Sequence, residues 1–188
     1  MTTSGSNDIV EKIDSAIKGG AEILLVIVDA KKYVKVSLEI LKYLTEKAEG
    51  IFVTLNRPYV SLKKLMEKEG IDYRKIIFID CITRQIGGEE IDPDRCIYLN
   101  SPDPTQLQVA IERAMNMITA DNRFIYIDSL STISLYKSFE TLLKFIRYLT
   151  GRIRVKGFIG TIFSIEKEID EMYYSQIALM VDEVIEIE

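Results

Sequence analysis

The feature that most constrains the fold is an uninterrupted apolar run, Ile-Leu-Leu-Val-Ile-Val, at residues 23–28. A run this rich in β-branched residues is typical of a strand covered on both faces in a parallel sheet, and we expect it at the centre of that sheet. Further apolar segments predict strands at 51–55, 75–80, 96–99, 124–128, 158–163 and 184–187.

Segments with helical spacing of apolar residues separate these strands. They lie at 9–17, 34–44, 62–66, 107–118, 139–149 and about 167–180, and the Asp103-Pro104 pair predicts the start of the fourth one. Strands that alternate with helices predict an α/β protein with helices on both faces of a mostly parallel sheet. We expect a flexible N-terminus at 1–6 and one domain over 7–188. In such sheets ligands bind beyond the carboxyl ends of the strands.

Composition excludes several classes of function. The chain has no histidine, which removes Ser/His/Asp and Cys/His nucleophile systems and the usual zinc ligands. Cys81 and Cys96 form no CxxC pair and are expected to be free thiols. A net charge of −5 without a Lys/Arg block makes nucleic acid an unfavourable partner. No segment reaches the length of a membrane span, so we expect a cytoplasmic protein. Abundant Ile, Lys and Glu is compatible with a thermophilic source.

Five segments together resemble the KaiC-like branch of the RecA-type P-loop ATPases. They are the strand-to-helix junction after Ile27, IFVTL at 51–55, KIIFIDC at 75–81, FIYIDSLS at 124–131 and DEVIEIE at 182–188. The resemblance runs from about Asp8 to Glu188. It implies a three-layer RecA-like fold with a phosphate-binding loop after the first strand. It also implies a magnesium-side aspartate at the strand that ends in Asp-Ser, and water-activating acidic residues after the second strand.

The stretch that matches the phosphate loop departs from GxxxxGK[ST], in which glycines let backbone N–H groups surround the phosphates. Asp29 replaces the first glycine and puts a carboxylate where phosphate would lie, while Val34 replaces the last. Lys35 keeps the lysine position, but Val36 offers no hydroxyl for magnesium and Ser37 comes one residue late. Two interpretations stay open for the lysines of this segment: a solvated turn and helix start, or a residual anion site. These lysines are Lys31, Lys32 and Lys35.

The other positions of the implied site are only partly kept. Asn56 and Arg57 stand where the family carries acidic residues, so the family mechanism lacks its general base. Asp128 keeps the place of the magnesium-side acid, or alternatively caps the next helix. We therefore expect no catalytic residues. The vestigial nucleotide site would consist of Asp29, Lys31, Lys32, Lys35, Ser37, Asp128 and Ser129, with Asp128 as the one weak candidate for a metal ligand.

These losses favour a non-catalytic module, a pseudo-ATPase with a degenerate Walker A loop that acts through a protein partner or self-association in regulation or signalling. We expect no cofactor and no membrane contact. The alternative is a nucleotide-binding switch or weak ATPase that uses ATP and magnesium through an altered loop.

Three further alternatives stay open. Asp29, Asp80 and Asp128 all end predicted strands and could bind a divalent cation. The pattern of Asp29 and Asp80 faintly resembles a receiver domain, although the doubled acid is missing. A basic cluster around Gly151 is expected to be a solvated loop, or else to reach a neighbour's nucleotide as RecA-family residues do. Its members are Arg147, Arg152, Arg154 and Lys156.

Overall fold

A computed structural model describes residues 6–166 and 169–187. Its strands are β1 (Ile23–Val28), β2 (Glu49–Thr54), β3 (Ile76–Asp80), β4 (Cys96–Tyr98), β5 (Arg123–Asp128), β6 (Ile159–Ile165) and β7 (Glu183–Ile187). Its α-helices are α1 (Ser6–Lys18), α2 (Tyr33–Lys47), α3 (Tyr59–Lys68), α4 (Pro104–Met117), α5 (Leu130–Tyr136), α6 (Phe139–Lys156) and α7 (Glu171–Ala178). A short 3-10 helix lies at Tyr73–Lys75.

The seven strands form one sheet in the order β4-β3-β2-β5-β6-β1-β7, and every pair is parallel. The predicted α/β fold with a parallel sheet is therefore confirmed. Strand β1 was predicted at the centre of the sheet, and that prediction is wrong, because β1 lies next to the edge strand β7. All six of its residues are nevertheless buried, because helices cover both faces. Coverage of the faces, and not the place of a strand in the order, produces an unbroken apolar run.

Two apolar cores lie on opposite faces of the sheet and give the molecule three layers. One core joins Leu24, Val26 and Val28 of β1 to residues of α1, α2 and α3. The other joins the alternate residues of the same strand to α4, α5, α6 and α7. Side chains alternate across a strand, so β1 contributes to both.

Two segments differ from the predictions or extend them. The region around Gly151 is not a loop, because α6 continues through it to Lys156 and ends at Gly157, which has a φ of 67°. Without a Cβ, this glycine adopts the left-handed conformation at little cost. Helix α5 was not among the helices predicted from apolar spacing and was anticipated only in the alternative that Asp128 caps a following helix.

The chain ends fall only partly within the described residues. Of the predicted flexible segment 1–6, residues 1–5 lie outside them, and Ser6 is the first residue of α1. The last helix was predicted from about residue 167; residues 167 and 168 also lie outside the described part, and α7 begins at Glu171.

Two smaller predictions are confirmed. Asp103 caps α4, accepting from the N–H groups of Thr105 at 3.0 Å and Gln106 at 3.3 Å. Cys81 and Cys96 are buried free thiols whose pKa values burial raises. No helix among the described residues is long and apolar enough to cross a membrane.

Candidate functional site

The connection from β1 to α2 is a tight turn of four residues, 29–32, in place of a wide loop. The Asp29 carboxylate accepts from the Lys31 N–H at 2.8 Å, and the Lys32 N–H donates to the Asp29 carbonyl at 3.0 Å. Helix α2 then begins at Tyr33. Because both bonds close the turn on itself, these backbone donors are turned inward on Asp29 and not toward a ligand.

The three lysines of this segment, Lys31, Lys32 and Lys35, are exposed. The Lys35 ammonium lies 3.8 Å from the Glu39 carboxylate, one helical turn along α2. Ser37 is buried, and its hydroxyl accepts from the Tyr126 hydroxyl at 3.0 Å. The predicted site residues are thus divided between the solvent and the core.

Tyr33, in the first turn of α2, reaches into the space at the end of β5. Its ring packs against Phe163, with ring centroids 5.3 Å apart. Its hydroxyl donates a hydrogen bond to the carboxylate of Asp128. Tyr33 is 9% exposed and Asp128 only 3%. Tyr33 therefore occupies one carboxylate oxygen of the acid that the resemblance assigns to magnesium.

Asn56, which follows β2, connects this pair to α5. Its amide group donates to the Tyr33 hydroxyl at 3.1 Å and to the Ser129 hydroxyl at 3.3 Å. Its amide oxygen accepts from the Thr132 hydroxyl at 2.6 Å. Ser129 also lies 2.9 Å from the hydroxyl of Ser131. Asn56, which stands where the family carries an acidic residue, thus links the end of β2 to α2 and to α5.

Burial raises the pKa of Asp128 to about 6, against the opposing effects of the Tyr33 hydroxyl, the Arg57 charge and the Asn56 amide. Burial and the neighbouring carboxylate raise the pKa of Tyr33 well above its usual value. Tyr33 therefore keeps its proton at physiological pH, and Asp128 is mostly ionised there. The alternative that Asp128 caps α5 is not supported, because Ser129 holds the N-cap position and the carboxylate is bound by Tyr33.

A cleft of about 350 Å³ opens beside this network. It is lined by Tyr33, Asn56, Ser131, Thr132, Leu135 and Ile165. The hydroxyl and amide groups at this cleft form hydrogen bonds largely with one another. Few of them are therefore available to bind a ligand.

The proposed cation site of three aspartates does not form. The carboxylate of Asp80 is fully buried and accepts from the N–H groups of Tyr59, Ile82 and Thr83 at 2.6, 2.7 and 2.8 Å, and from the Thr83 hydroxyl at 2.6 Å. Asp29 is bound within its own turn. Across 6–166 and 169–187, no three side chains of the metal-binding types converge.

The basic residues around Gly151 are bound largely within the protein. Arg152 makes a two-pronged ion pair with Glu112, which also accepts from the Tyr148 hydroxyl. Arg154 binds Asp182 at 2.8 and 3.1 Å, and the Lys156 ammonium lies 3.2 Å from the Asn116 amide oxygen. These contacts fasten α6 to α4 and to the start of β7.

A family model, described as a family of unknown function (DUF7504), matches residues 22–187. The chain belongs to this family. No curated protein sequence matches this DUF7504 chain.

Three solved structures are similar to this DUF7504 chain in fold. A KaiC-like protein, PH0186, from the hyperthermophilic archaeon Pyrococcus horikoshii OT3 has a TM-score of 0.59 at 16% identity, covering 89% of this chain and 72% of that one. An uncharacterized protein, PH0321, from Pyrococcus horikoshii, crystallised with an unknown peptide, has a TM-score of 0.66 at 16% identity, covering 95% and 82%. The flagellar accessory protein FlaH from Methanocaldococcus jannaschii has a TM-score of 0.53 at 13% identity, covering 94% and 76%. The RecA/KaiC-like three-layer fold is thus confirmed.

Sequence reasoning missed Tyr33, the residue that most affects this site. It is the one aromatic residue in the stretch that matches the phosphate loop, and that was the only signal available. The vestigial nucleotide site, the thermophilic source and the cytoplasmic location stay predictions.

Proposed function

We propose that this DUF7504 chain is a non-catalytic RecA/KaiC-like module that acts through protein contacts, in regulation or signalling. The observation that carries the proposal is the hydrogen bond from the buried Tyr33 hydroxyl to Asp128. Magnesium at this acid would have to compete with that bond at a carboxylate that is only 3% exposed.

The groups that phosphoryl transfer needs are lacking or turned away. The reaction depends on positive charge at the phosphates, on magnesium and on an oriented nucleophile. Lys35 lies beside Glu39 at the surface, Ser37 is bound to Tyr126 in the core, and Asn56 bridges Tyr33 and α5. Because each of these contributions is large, losing them together leaves little catalytic advantage.

The similarity to PH0321 supports action through a partner. That protein was crystallised in complex with an unknown peptide, and its fold covers 95% of this chain. A peptide-binding role on the same fold fits a chain in which Tyr33 binds the acid that the resemblance assigns to magnesium.

The experiment is calorimetric titration of the purified chain with ATP and with ADP, each with and without magnesium. We expect no binding heat and no change in melting temperature, since a ligand that binds only the folded state must raise it. Micromolar binding that Lys35→Ala weakens, while the matched variant Lys42→Ala on the same helix does not, would overturn the proposal.

That second result would favour the alternative, a nucleotide-responsive switch. Its support is the retained Asp128 and the three exposed lysines at the start of α2. Such a switch would require Tyr33 to leave Asp128 when nucleotide binds, so Tyr33→Ala would tighten nucleotide binding. If phosphate is also released, the residual ATPase interpretation applies, and Asp128→Asn should abolish that release.

A further inference from the structure

Strand β7 leaves one side of its backbone open. It pairs with β1, and it is the last strand of the sheet among the described residues. An edge strand presents a row of N–H and C=O groups to which another extended chain can bond. The opposite edge strand, β4, is only three residues long, whereas β7 has five. The β7 side is thus the longer of the two free edges.

Two grooves flank β7. The larger, about 960 Å³, runs between β7 and α1 and is lined by Glu11, Lys12, Ala16, Gly20 and Val184 among others. The smaller, about 470 Å³, lies toward α7. Glu186 lines both grooves, which lie on opposite faces of the sheet, because α1 belongs to one apolar core and α7 to the other. A chain added along β7 could therefore place its side chains alternately in the two grooves.

Acidic side chains dominate the walls of the larger groove. It is lined by Asp8, Glu11, Asp182, Glu183 and Glu186, and Lys12 is the one basic residue among the described residues that line it. The Lys12 ammonium lies 3.1 Å from Asp8, and Asp182 is bound by Arg154. Glu11, Glu183 and Glu186 are exposed and form no ion pair within the described part of the chain. Among the described residues, these three carboxylates of the larger groove thus have no cationic partner.

We propose that the free edge of β7 binds an extended segment of a partner protein in which Lys or Arg alternates with apolar residues, as an eighth strand of the sheet. This inference rests on the proposed function as a protein-contact module. Backbone bonds to the edge would supply the register, and the acidic side chains of the larger groove would select the row of basic side chains that faces them. Val184, which is 36% exposed, offers apolar contact. A second copy of this chain is a poor occupant, since two β7 strands would bring their glutamates together.

The test uses a fluorescent synthetic peptide of alternating lysine and valine, titrated with the full chain by anisotropy. Three related peptides accompany it: one with glutamate for lysine, one with the same residues but N-methylated backbone at alternate positions, and one with lysine and valine in random order. The protein variants are Glu183→Lys with Glu186→Lys, and the matched pair Glu67→Lys with Glu89→Lys on distant exposed positions. All altered residues are exposed, so the fold, checked by circular dichroism, should persist.

The expected result is saturable binding of the alternating peptide that weakens about tenfold or more in the Glu183/Glu186 variant and is unchanged in the matched pair. The glutamate and N-methylated peptides should bind much less tightly. If the N-methylated or the randomly ordered peptide bound as tightly as the alternating one, charge attraction alone would explain the binding. That result would overturn the pairing of the peptide with the β7 edge. Equal affinity of both protein variants, or self-association abolished by the Glu183/Glu186 change, would overturn the proposed occupant.

This outcome can be separated from the proposed function. The peptide and nucleotide titrations probe different parts of the sheet. Failure of the peptide with no nucleotide binding overturns only the β7 surface, whereas nucleotide binding weakened by Lys35→Ala overturns the non-catalytic role whatever the peptide does.

Discussion

Asp80 and Asp128 hold equivalent positions in the sheet and yet differ in how they are held. Both end a strand beside β2, and both lie in register with Thr54 on its two sides. Asp80 is 0% exposed and Asp128 3%. The carboxylate of Asp80 accepts four hydrogen bonds, three of them from backbone N–H groups. That of Asp128 accepts from a tyrosine 95 residues away in the sequence.

The difference separates an acid with a purely structural role, Asp80, from Asp128, whose carboxylate could still bind another group. Backbone donors stay in place whichever side chains surround them, so Asp80 is fixed by the fold itself. The partners of Asp128 are side chains, Tyr33 and the Asn56 bound to it. A single substitution of Tyr33 would remove the hydrogen bond and leave the carboxylate able to bind another group. Burial of an acid at a strand end therefore does not by itself indicate a metal site.

The largest expected effect is on Asp80. Asp80→Ala leaves three buried backbone N–H groups without their acceptor, and we expect a loss of about 3–5 kcal/mol in the free energy of unfolding. Urea denaturation measures it. Asp29→Ala, at a partly exposed turn, serves as control and should cost less than about 1 kcal/mol. A similar small cost for both variants would break the contrast between the two acids.

Asp128→Asn should stabilise the protein in a pH-dependent way. Because the pKa of Asp128 is raised from 3.8 to about 6, the folded state binds the proton more tightly than the unfolded state. Its contribution to stability is complete below 3.8 and is lost as the pH rises through about 6. Asparagine does not titrate, so the variant should gain roughly 2–3 kcal/mol over the wild type by about pH 7, with little difference at acidic pH.

Urea denaturation of both proteins over this pH range checks that prediction. A stability difference that does not change with pH, or that favours the wild type as the pH rises, would show that Asp128 is not held as described.

Tyr33→Phe should have the smallest effect of the three. It removes the donor to a buried carboxylate, and we expect a cost of about 1.5–3 kcal/mol at neutral pH. In the Asp128→Asn background the cost should fall to about 1 kcal/mol, since a neutral acceptor loses less. Tyr43→Phe is a matched control, because its hydroxyl also donates from α2 to a carboxylate, Asp14, but at a partly exposed position. Equal costs of Tyr33→Phe in the two backgrounds would show that the pair is not coupled.

Much of the fold follows from local patterns. Strands β1 to β7 were predicted from apolar runs, and the cap at Asp103 from the Asp-Pro pair, because both depend on neighbouring residues. Helix α5 was not recognised from apolar spacing, because it is only seven residues long and begins shortly after a strand ends. The position of β1 in the strand order depends on which strands pair with one another. The apolar content of a strand does not indicate its pairing partners.

The site was harder to predict, because its decisive contact joins residues 33 and 128. Lys35 and Asp128 were recognised by their positions in a motif, which give the order along the chain but not the direction of a side chain. That Lys35 lies at the surface and that Tyr33 fills the site depend on where α2 begins. The tight turn at 29–32 makes α2 begin as early as Tyr33, and only the three-dimensional structure shows this.

The most direct test of the account is to follow the carboxyl carbon of Asp128 by NMR as the pH is raised, with and without magnesium and ATP. We expect a titration midpoint of about 6 for Asp128, unchanged by magnesium and ATP, because Tyr33 binds the carboxylate. A midpoint near an ordinary aspartate, or one that falls when magnesium and ATP are added, would contradict it, since a bound cation favours the ionised carboxylate.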